Sequence, residues 1–263
     1  MKCCMCGRHQ HDVALMVRGK YGAVCSECSL ESYRTLKSDE SLIQRETGEK
    51  ALMLANEVSR ANQMLPKLGL VVMHSGNVSG YDPESKRVFI KPSGMDYAEM
   101  TGANMVPVEL DSGKIVGSTH KPSVDLPHHL YLYRNMPDVR AIVHTHSNYA
   151  TAFAACHKPI PLALTAIADE FGGEIPCAPY IDNQDDRIGE AILEHKGRGP
   201  AILLGNHGVF TWGPSVAAAL KAAAMVEDVA KTLAIAGTLG DIVPIDADEA
   251  EKWYDRYQNR YGQ

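Results

Sequence analysis

Hydrophobic and polar positions along the chain change from a helical to a strand-like period. Apolar side chains recur every three or four residues from Ala51 to Leu65, which predicts an amphipathic helix that Pro66 and Gly69 end. Beyond Leu70 the sequence consists of short β-rich runs separated by glycine, proline, aspartate and serine: LVVM, RVFIK, MVPVEL, KIVG and RAIVHTH. This pattern predicts a sheet of short strands.

The second half of the chain combines further strands with helices. A helix is predicted after Asp125, whose side chain could cap it, with Pro127 in its first turn. The run AILLGNHGVFTW predicts two strands around a glycine-flanked turn, Ser215–Ala236 predicts a long alanine-rich helix, and a last helix is predicted from about Asp246. Because the sequence has no internal repeat, we expect residues 41–263 to form one mixed α/β domain.

Composition and charge narrow the classes of function. The 263-residue chain is 45% hydrophobic and 22% charged, which is typical of a globular protein. Its formal net charge of −6 argues against broad electrostatic attraction to nucleic acid or to a membrane surface. No apolar run approaches the roughly 18–20 residues of a membrane-spanning helix, and the start MKCCMCGRHQ is too polar for a secretory signal. We therefore expect a soluble, cytoplasmic protein.

Cysteines concentrate at the amino terminus, where five of the seven lie in the first 28 residues. Four of them form two CxxC pairs, whose thiolates can complete one tetrahedral zinc site: Cys3, Cys6, Cys25 and Cys28. A segment as short as 1–40 buries little core, so the metal would supply its folding energy. The alternative is a set of reduced, unligated thiols. The segment also resembles the zinc-binding module of the unfoldase ClpX, which implies a small zinc module with an interaction site for a protein partner.

Histidines supply the second set of candidate metal ligands. His144 and His146 flank Thr145 after an apolar run, and residues i and i+2 of a strand share one face. His207 lies in GNHGVF, where the glycines allow a turn that presents one side chain into a cavity. Three imidazoles with an open position are typical of a catalytic zinc site. The alternatives are ordinary hydrogen-bonded histidines and a turn histidine that caps the backbone.

An acidic residue and two small-residue segments complete the candidate site. Asp125 could be a fourth metal ligand, an acid/base group or a plain helix cap, with His129 one turn further along. The segments Ser75–Gly80 and Lys91–Gly94, together with Ser123, offer hydroxyl groups, backbone N–H groups and a cation for a phosphate. Each segment alone could be a simple turn. The absence of Walker-type spacing argues against a nucleoside triphosphate.

The motifs SGNVSG, KPSGMDY, KPSVD, VHTHS, IPC, GNHGVF and terminal YGQ follow one another in an order that resembles the class II aldolase/adducin family. The likeness covers roughly residues 45–263 and is greatest to its L-ribulose-5-phosphate 4-epimerases. It implies an α/β fold with a central, mainly antiparallel sheet flanked by helices. It also implies a homotetramer with active sites between subunits.

The resemblance further implies roles for individual residues. It makes His144, His146 and His207 ligands of a catalytic Zn²⁺, with another divalent metal as the alternative, and places Asp125 at the metal. By position, Asp169 and Tyr261 resemble the pair that exchanges protons with the substrate, Tyr261 acting in a neighbouring subunit's site. The residues that match the family's substrate and phosphate contacts, or lie beside them, are Gly76, Asn77, Lys91, Ser93, Gly94 and Ser123.

The expected activity is zinc-dependent interconversion of L-ribulose 5-phosphate and D-xylulose 5-phosphate by retro-aldol and aldol steps. The nearest alternative is a class II aldolase that cleaves a ketose 1-phosphate such as L-fuculose 1-phosphate. Alternatives of another class are a non-catalytic, adducin-like scaffold and a binding protein built around the second Zn²⁺ of the amino-terminal module. Under the favoured interpretation, the partners are a phosphorylated sugar and further copies of the chain.

Overall fold

The computed structural model describes the backbone of residues 1–38 and 40–260. It also describes the side chains of these residues, except for those of residues 36–47. The chain divides into two compact units, unit 1 (Met1–Lys50) and unit 2 (Ala51–Gln263). No helix among these residues is long and apolar enough to cross a membrane.

Unit 1 contains a two-stranded antiparallel hairpin of β1 (Met16–Gly19) and β2 (Gly22–Cys25), preceded by a short 3₁₀ helix, Gln10–Asp12, and followed by α1 (Ser26–Ser38). Its buried hydrophobic cluster consists of three of the cysteines, Cys3, Cys25 and Cys28, with partly buried Val13, Met16 and Val24 around them. A core this small contributes little hydrophobic stabilisation by itself.

The next helix is α2 (Glu40–Lys67), and the other elements all lie in unit 2. The strands are β3 (Asn77–Asp82), β4 (Arg87–Ile90), β5 (Val106–Glu109), β6 (Ala141–Thr145), β7 (Cys177–Ala178), β8 (Ala201–Leu204) and β9 (Gly208–Gly213). The helices are α3 (Leu126–Asn135), α4 (Asn148–Ala155), α5 (Thr165–Phe171), α6 (Arg187–His195), α7 (Val216–Leu239) and α8 (Ala247–Arg260), with short 3₁₀ helices at Tyr97–Glu99 and Gly102–Asn104.

The seven strands of unit 2 form one sheet in the order β5-β4-β3-β6-β9-β8-β7. All neighbouring pairs are antiparallel except β7 and β8, which are parallel. Helices cover the sheet and bury three hydrophobic clusters. The predicted fold class, a central and mainly antiparallel sheet flanked by helices, is confirmed.

Most predicted elements form, but two of the β-rich runs do not become strands. In LVVM, Leu70 and Val71 are buried, whereas Met73 has a positive φ of 56° and the Val72 carbonyl accepts hydrogen bonds from Ser75. The run is therefore a turn anchored by two apolar side chains. KIVG makes only an isolated bridge, between Ile115 and Val108 of β5. Only Leu70 and Val71 of these runs are buried, whereas Ile115 is exposed, so their apolar composition did not predict strand pairing.

Candidate active site

The three predicted histidine ligands converge at one end of the sheet. His144 is the penultimate residue of β6 and is fully buried, His146 follows the strand, and His207 lies in the turn between β8 and β9. Their ring centroids are 4.6 Å apart for His144 and His146, 4.9 Å for His144 and His207, and 5.3 Å for His146 and His207. One nitrogen of each ring lies within 4.8 Å of the other two. We call these three residues the histidine cluster.

Strand register explains why residues so distant in sequence meet. β6 and β9 pair antiparallel with Thr145 opposite Val209, which brings the β8–β9 turn beside the end of β6. The approach requires glycine at position 208, because a Cβ there would lie 2.5 Å from the Thr145 carbonyl oxygen and 2.8 Å from Cδ2 of His146. The turn is also tied to α4, since the backbone N–H of Asn206 donates to the Ala154 carbonyl at 3.1 Å.

Local contacts hold the imidazoles in the neutral form that metals bind. Nδ1 of His144 donates to the Val209 carbonyl at 2.9 Å, which leaves Nε2 with a free lone pair. Burial lowers the pKa of His144 to about 3, and the ring stacks on Phe210 with centroids 4.3 Å apart. Burial is also the main cause that lowers the pKa of His146 and of His207. The cluster is therefore uncharged at neutral pH.

Asp125 adjoins the cluster and does not cap α3. Its carboxylate makes no capping hydrogen bond but accepts from Nδ2 of Asn77 at 2.6 Å and from Oγ of Ser123 at 3.3 Å. Asn77 in turn pairs with His144 across β3 and β6. Burial raises the pKa of Asp125, but the neighbouring imidazoles and the Asn77 amide lower it by more, so the carboxyl group is ionised. The structure thus brings Asp125, Asn77 and Ser123 together, as the sequence predicted.

One of the predicted anion-binding segments, Lys91–Gly94, lies beside the predicted phosphate ligand Ser123. Lys91–Gly94 runs along Lys121–Asp125, with hydrogen bonds from Ser93 N–H to the Lys121 carbonyl at 2.8 Å and from Ser123 N–H to the Lys91 carbonyl at 2.9 Å. Ser93 and Gly94 are exposed. The segment therefore presents polar groups to a ligand while its flanks are fixed by backbone pairing.

Lys91, predicted to supply the cation of a phosphate site, is buried beneath the loop that carries Gly76, and its predicted role stays a prediction. It is only 2% exposed, and Nζ donates to the His74 carbonyl at 2.9 Å. The Tyr97 hydroxyl lies nearby and is within hydrogen-bond distance of the carbonyls of Ser75, at 2.6 Å, and Gly76, at 2.8 Å. Both side chains therefore hold the loop that carries Gly76, whose φ is +81°. Sequence reasoning missed Tyr97, although it belongs to the KPSGMDY motif.

Several buried polar atoms at the site have no hydrogen-bond partner within the described chain. They are Oδ1 of Asn77, Nδ1 of His128 and Oγ of Ser147. Two further unpartnered atoms lie away from the cluster: Nε2 of core-packed His129, and Oγ1 of Thr145 on the other face of β6. Each unmade hydrogen bond costs about 1–3 kcal/mol, and native proteins rarely leave such groups unpaired. Three neutral imidazoles beside a carboxylate also suit a divalent metal. The residues present thus fit a metal site with a polar ligand.

Of the two predicted proton-exchange residues, the structure describes only Asp169, which is not part of the histidine cluster. Asp169 lies on α5 and is half-buried, its carbonyl accepts from Nε2 of Gln258 on α8, and its pKa is raised by burial despite the nearby charge of Arg256. Tyr261 lies outside the described residues. The roles of both stay predictions.

The four predicted cysteine ligands of unit 1 also come together, with sulfur atoms within 4.8 Å of one another. Sγ of Cys6 and Sγ of Cys25 are 3.7 Å apart, close to the edge of about 3.8 Å expected for a tetrahedron with Zn–S bonds of about 2.3 Å. Nε of Arg8 donates to Sγ of Cys6 at 3.3 Å. The arrangement fits a zinc ion whose thiolate charge is partly offset by Arg8. Cys4 is exposed and outside the group.

The fold and the histidine cluster are typical of a class of α/β enzymes in which a group of histidines that could hold a metal ion lies at the end of a mainly antiparallel sheet. The sequence matches the family described as "Class II Aldolase and Adducin N-terminal domain" over residues 56–234. The chain belongs to the class II aldolase and adducin family.

Individual relatives include both epimerases and aldolases. The chain is 41% identical over 172 residues to the "Probable L-ribulose-5-phosphate 4-epimerase UlaF" of Mycoplasma pneumoniae, covering 60% of this chain and 71% of the relative. It resembles the structure of an L-fuculose 1-phosphate aldolase with a TM-score of 0.71 and 26% identity, over 78% of this chain and 96% of that one. It also resembles the structure of the L-fuculose 1-phosphate aldolase from Glaciozyma antarctica, with a TM-score of 0.69 and 22% identity over 80% of this chain and 83% of that one, a similarity that supports the fold alone.

Proposed function

We propose that the protein is a metal-dependent sugar-phosphate epimerase that interconverts L-ribulose 5-phosphate and D-xylulose 5-phosphate. The observation that carries the proposal is the convergence of His144, His146 and His207 beside ionised Asp125, among buried polar atoms that lack partners. The 41% identity to a probable 4-epimerase favours this activity over others of the family.

In this proposal the histidine cluster holds Zn²⁺ or another divalent cation, with Asp125 as a further ligand. When bound, the metal would supply Lewis-acid stabilisation of negative charge that develops on the substrate oxygens. The chain itself prepares the site: the Val209 carbonyl orients His144, and Asn77 and Ser123 orient the Asp125 carboxylate. These contacts fix the ligand atoms before any cation arrives.

We assign substrate binding to the loops beside the histidine cluster. We assign the phosphate to the N–H and hydroxyl groups of Gly76, Ser93 and Gly94, with Asn77 and Ser123 near the reacting end. Lys91 contributes positive charge from beneath the loop rather than by direct contact, because its side chain is buried, with Nζ bonded to the His74 carbonyl. Firm retention is needed because a cleaved fragment must turn over and recombine before it escapes.

The reaction is assigned to C–C cleavage because C4 of the substrate carries no acidic proton. The bond between C3 and C4 breaks as the C4 hydroxyl loses its proton to one acid/base group, so that C4 becomes the aldehyde carbon of one fragment. The electron pair of the broken bond moves towards the C2 carbonyl oxygen, and the other fragment is an enediolate. The aldehyde fragment then rotates and recombines on its opposite face, and a second group returns the proton to oxygen. We assign these two groups to Asp169 and Tyr261, one on each face. Because Asp169 faces α8 rather than the cluster of its own chain, the assignment requires sites completed between subunits of a homotetramer.

The remaining assignments concern the whole chain. We assign residues 1–40 to a zinc module whose second Zn²⁺ is held by Cys3, Cys6, Cys25 and Cys28, with a protein partner as its binding function. Residues 41–263 form the catalytic domain, and the enzyme works in the cytoplasm. The pairing of sulfur atoms at zinc-like distances supports the module, and the sequence composition supports the location.

The main rival is an aldolase that cleaves a ketose 1-phosphate, and the structural similarity to an L-fuculose 1-phosphate aldolase favours it. Incubation of the zinc-loaded protein with L-ribulose 5-phosphate should give D-xylulose 5-phosphate without free fragments, by chromatography or NMR. His207→Ala should reduce turnover by at least about 1,000-fold, because it removes one metal ligand while unit 2 stays folded.

Other outcomes would decide against the epimerase. Release of dihydroxyacetone phosphate from L-fuculose 1-phosphate, without conversion of L-ribulose 5-phosphate, would make the protein an aldolase. No conversion of either sugar by protein with zinc bound at the histidine cluster would favour a non-catalytic scaffold.

A further inference from the structure

His128 is a buried imidazole beside the histidine cluster that the proposed reaction does not use. It lies in the first turn of α3, three residues after Asp125, and is only 1% exposed. Residues three apart at a helix start lie on the same side. The helix therefore presents His128 on the side that carries the Asp125 carboxylate.

His128 interacts electrostatically with both Asp125 and the histidine cluster. A charge on its ring would lower the pKa of Asp125 and also that of His207, which comes from the distant β8–β9 turn. The ring also neighbours Asp186 and the backbone of Asp185, in the loop before α6. His128 is therefore close to the carboxylate and to the cluster at once.

The Nδ1 atom of His128 is buried and has no hydrogen-bond partner among the residues that the structure describes. Ionisation of the ring does not resolve this, because burial lowers the pKa of His128 more than Asp125 and Asp186 raise it. A neutral imidazole nitrogen donates or accepts one hydrogen bond according to its tautomer. The atom thus needs a polar partner from outside the chain.

The adjacent histidine, His129, makes different contacts from those of His128. Nδ1 of His129 is 2.7 Å from Oγ of Ser79, which is itself 2.7 Å from the Tyr133 hydroxyl, and the ring packs on Phe210 with centroids 5.7 Å apart. His129 is therefore anchored in the core. The ring of His128 is instead hydrogen-bonded to the backbone of Asp185, and no group of the described chain bonds its Nδ1.

We propose that His128 is a substrate-contacting, specificity-determining residue whose Nδ1 hydrogen-bonds a hydroxyl oxygen of the sugar phosphate bound at the histidine cluster. The inference rests on the proposed function and extends it to a residue with no assigned role. A buried group that needs a hydroxyl partner discriminates against ligands that lack one. His128 would therefore select polyhydroxylated substrates over deoxy analogues.

Three substitutions separate the two ring nitrogens. In His128→Asn the amide nitrogen takes the place of Nδ1, in His128→Gln it takes the place of Nε2, and His128→Leu removes both. Each variant is titrated with L-ribulose 5-phosphate by calorimetry in the zinc-loaded protein, and its zinc content and turnover are measured. His195→Leu, at the end of α6, is the matched control.

The expected result is a loss of affinity of about 10- to 100-fold in His128→Leu, the effect of one buried hydrogen bond. Zinc content should be unchanged, His128→Asn should recover most of the affinity, and His128→Gln should not. Unchanged affinity in His128→Leu, equal affinities of the Asn and Gln variants, or loss of zinc in all three would overturn the inference while leaving the epimerase proposal intact. If the unmodified protein binds no L-ribulose 5-phosphate, both proposals are wrong.

Discussion

The cysteine cluster of unit 1 and the histidine cluster of unit 2 differ in how much hydrophobic core surrounds them. In unit 1 the cysteines are themselves the core, since the only buried hydrophobic cluster described there consists of Cys3, Cys25 and Cys28. In unit 2 the histidines lie at the end of a central strand, on a sheet whose helices bury three separate clusters. Ligand loss should therefore abolish folding in unit 1 but only metal binding in unit 2.

The cysteine and histidine clusters also differ in whether a coordination position stays open for a ligand. Four thiolates complete a tetrahedron, whereas three imidazoles leave at least one coordination position for a ligand. All buried side-chain atoms without a hydrogen-bond partner, within the described ranges, belong to unit 2. A closed site stabilises a fold, and an open site surrounded by unpaired polar groups is suited to chemistry.

The largest expected effect is the unfolding of unit 1 on loss of one thiolate. Cys25→Ser should release one zinc per chain and unfold unit 1, because zinc binding contributes about 10–16 kcal/mol to the folding of small zinc domains. Limited proteolysis within residues 1–50 and zinc analysis measure this. Trp212 and Trp253, the two tryptophans of the chain, both lie in unit 2 and should report an unchanged unfolding transition.

Cys4→Ser is the matched control, because Cys4 is exposed and outside the cluster. It should keep both zinc ions and resist proteolysis. Full zinc content and protease resistance in Cys25→Ser would show that the thiols of unit 1 are not metal ligands.

Acid should destabilise unit 2 in the metal-free protein. Burial lowers the pKa of His129 and of His144 to about 3, from 6.5 in the unfolded chain. Between these values the unfolded state binds one more proton per histidine, so stability is complete above pH 6.5 and falls as the pH approaches 3. The two residues give a slope of about 3 kcal/mol per pH unit near pH 5. Urea unfolding at pH 7 and pH 5, followed by tryptophan fluorescence, measures this slope.

An equal free energy of unfolding at both pH values would mean that the imidazoles of unit 2 are not held neutral by the fold. The control is His195→Asn, at the end of α6, which should leave the slope unchanged.

A smaller effect is expected from a methyl group beside the histidine cluster. Gly208→Ala places a Cβ against the Thr145 carbonyl and the His146 ring. It should cost about 1–3 kcal/mol in unfolding free energy and weaken zinc binding by displacing His146. Gly237→Ala, at an exposed position of α7 with no atom within 4 Å of the added Cβ, should instead be neutral or stabilise by up to about 1 kcal/mol. Equal thermal stability and zinc affinity in both variants would contradict the close approach at Gly208.

Much of the fold follows from local patterns in the sequence. The helical period of Ala51–Leu65 predicted the body of α2, and alanine-rich Ser215–Ala236 predicted α7 to within a few residues. The spacing of His144 and His146 placed both rings on one side because side chains two apart on a strand share a face. These features depend on backbone geometry over a few residues, which is the range that a sequence pattern encodes.

Tertiary structure decided how the site is assembled. The sequence left open whether Asp125 caps a helix, and only the packing of β3 against α3 showed that it accepts from Asn77 instead. Sequence reasoning singled out His129 at i+4, whereas the structure adds His128 at i+3, whose buried Nδ1 has no partner within the described chain and whose charge would lower the pKa of His207. Which side chains meet depends on strand register and helix packing between distant segments, and those are set by burial of the whole core rather than by any local period.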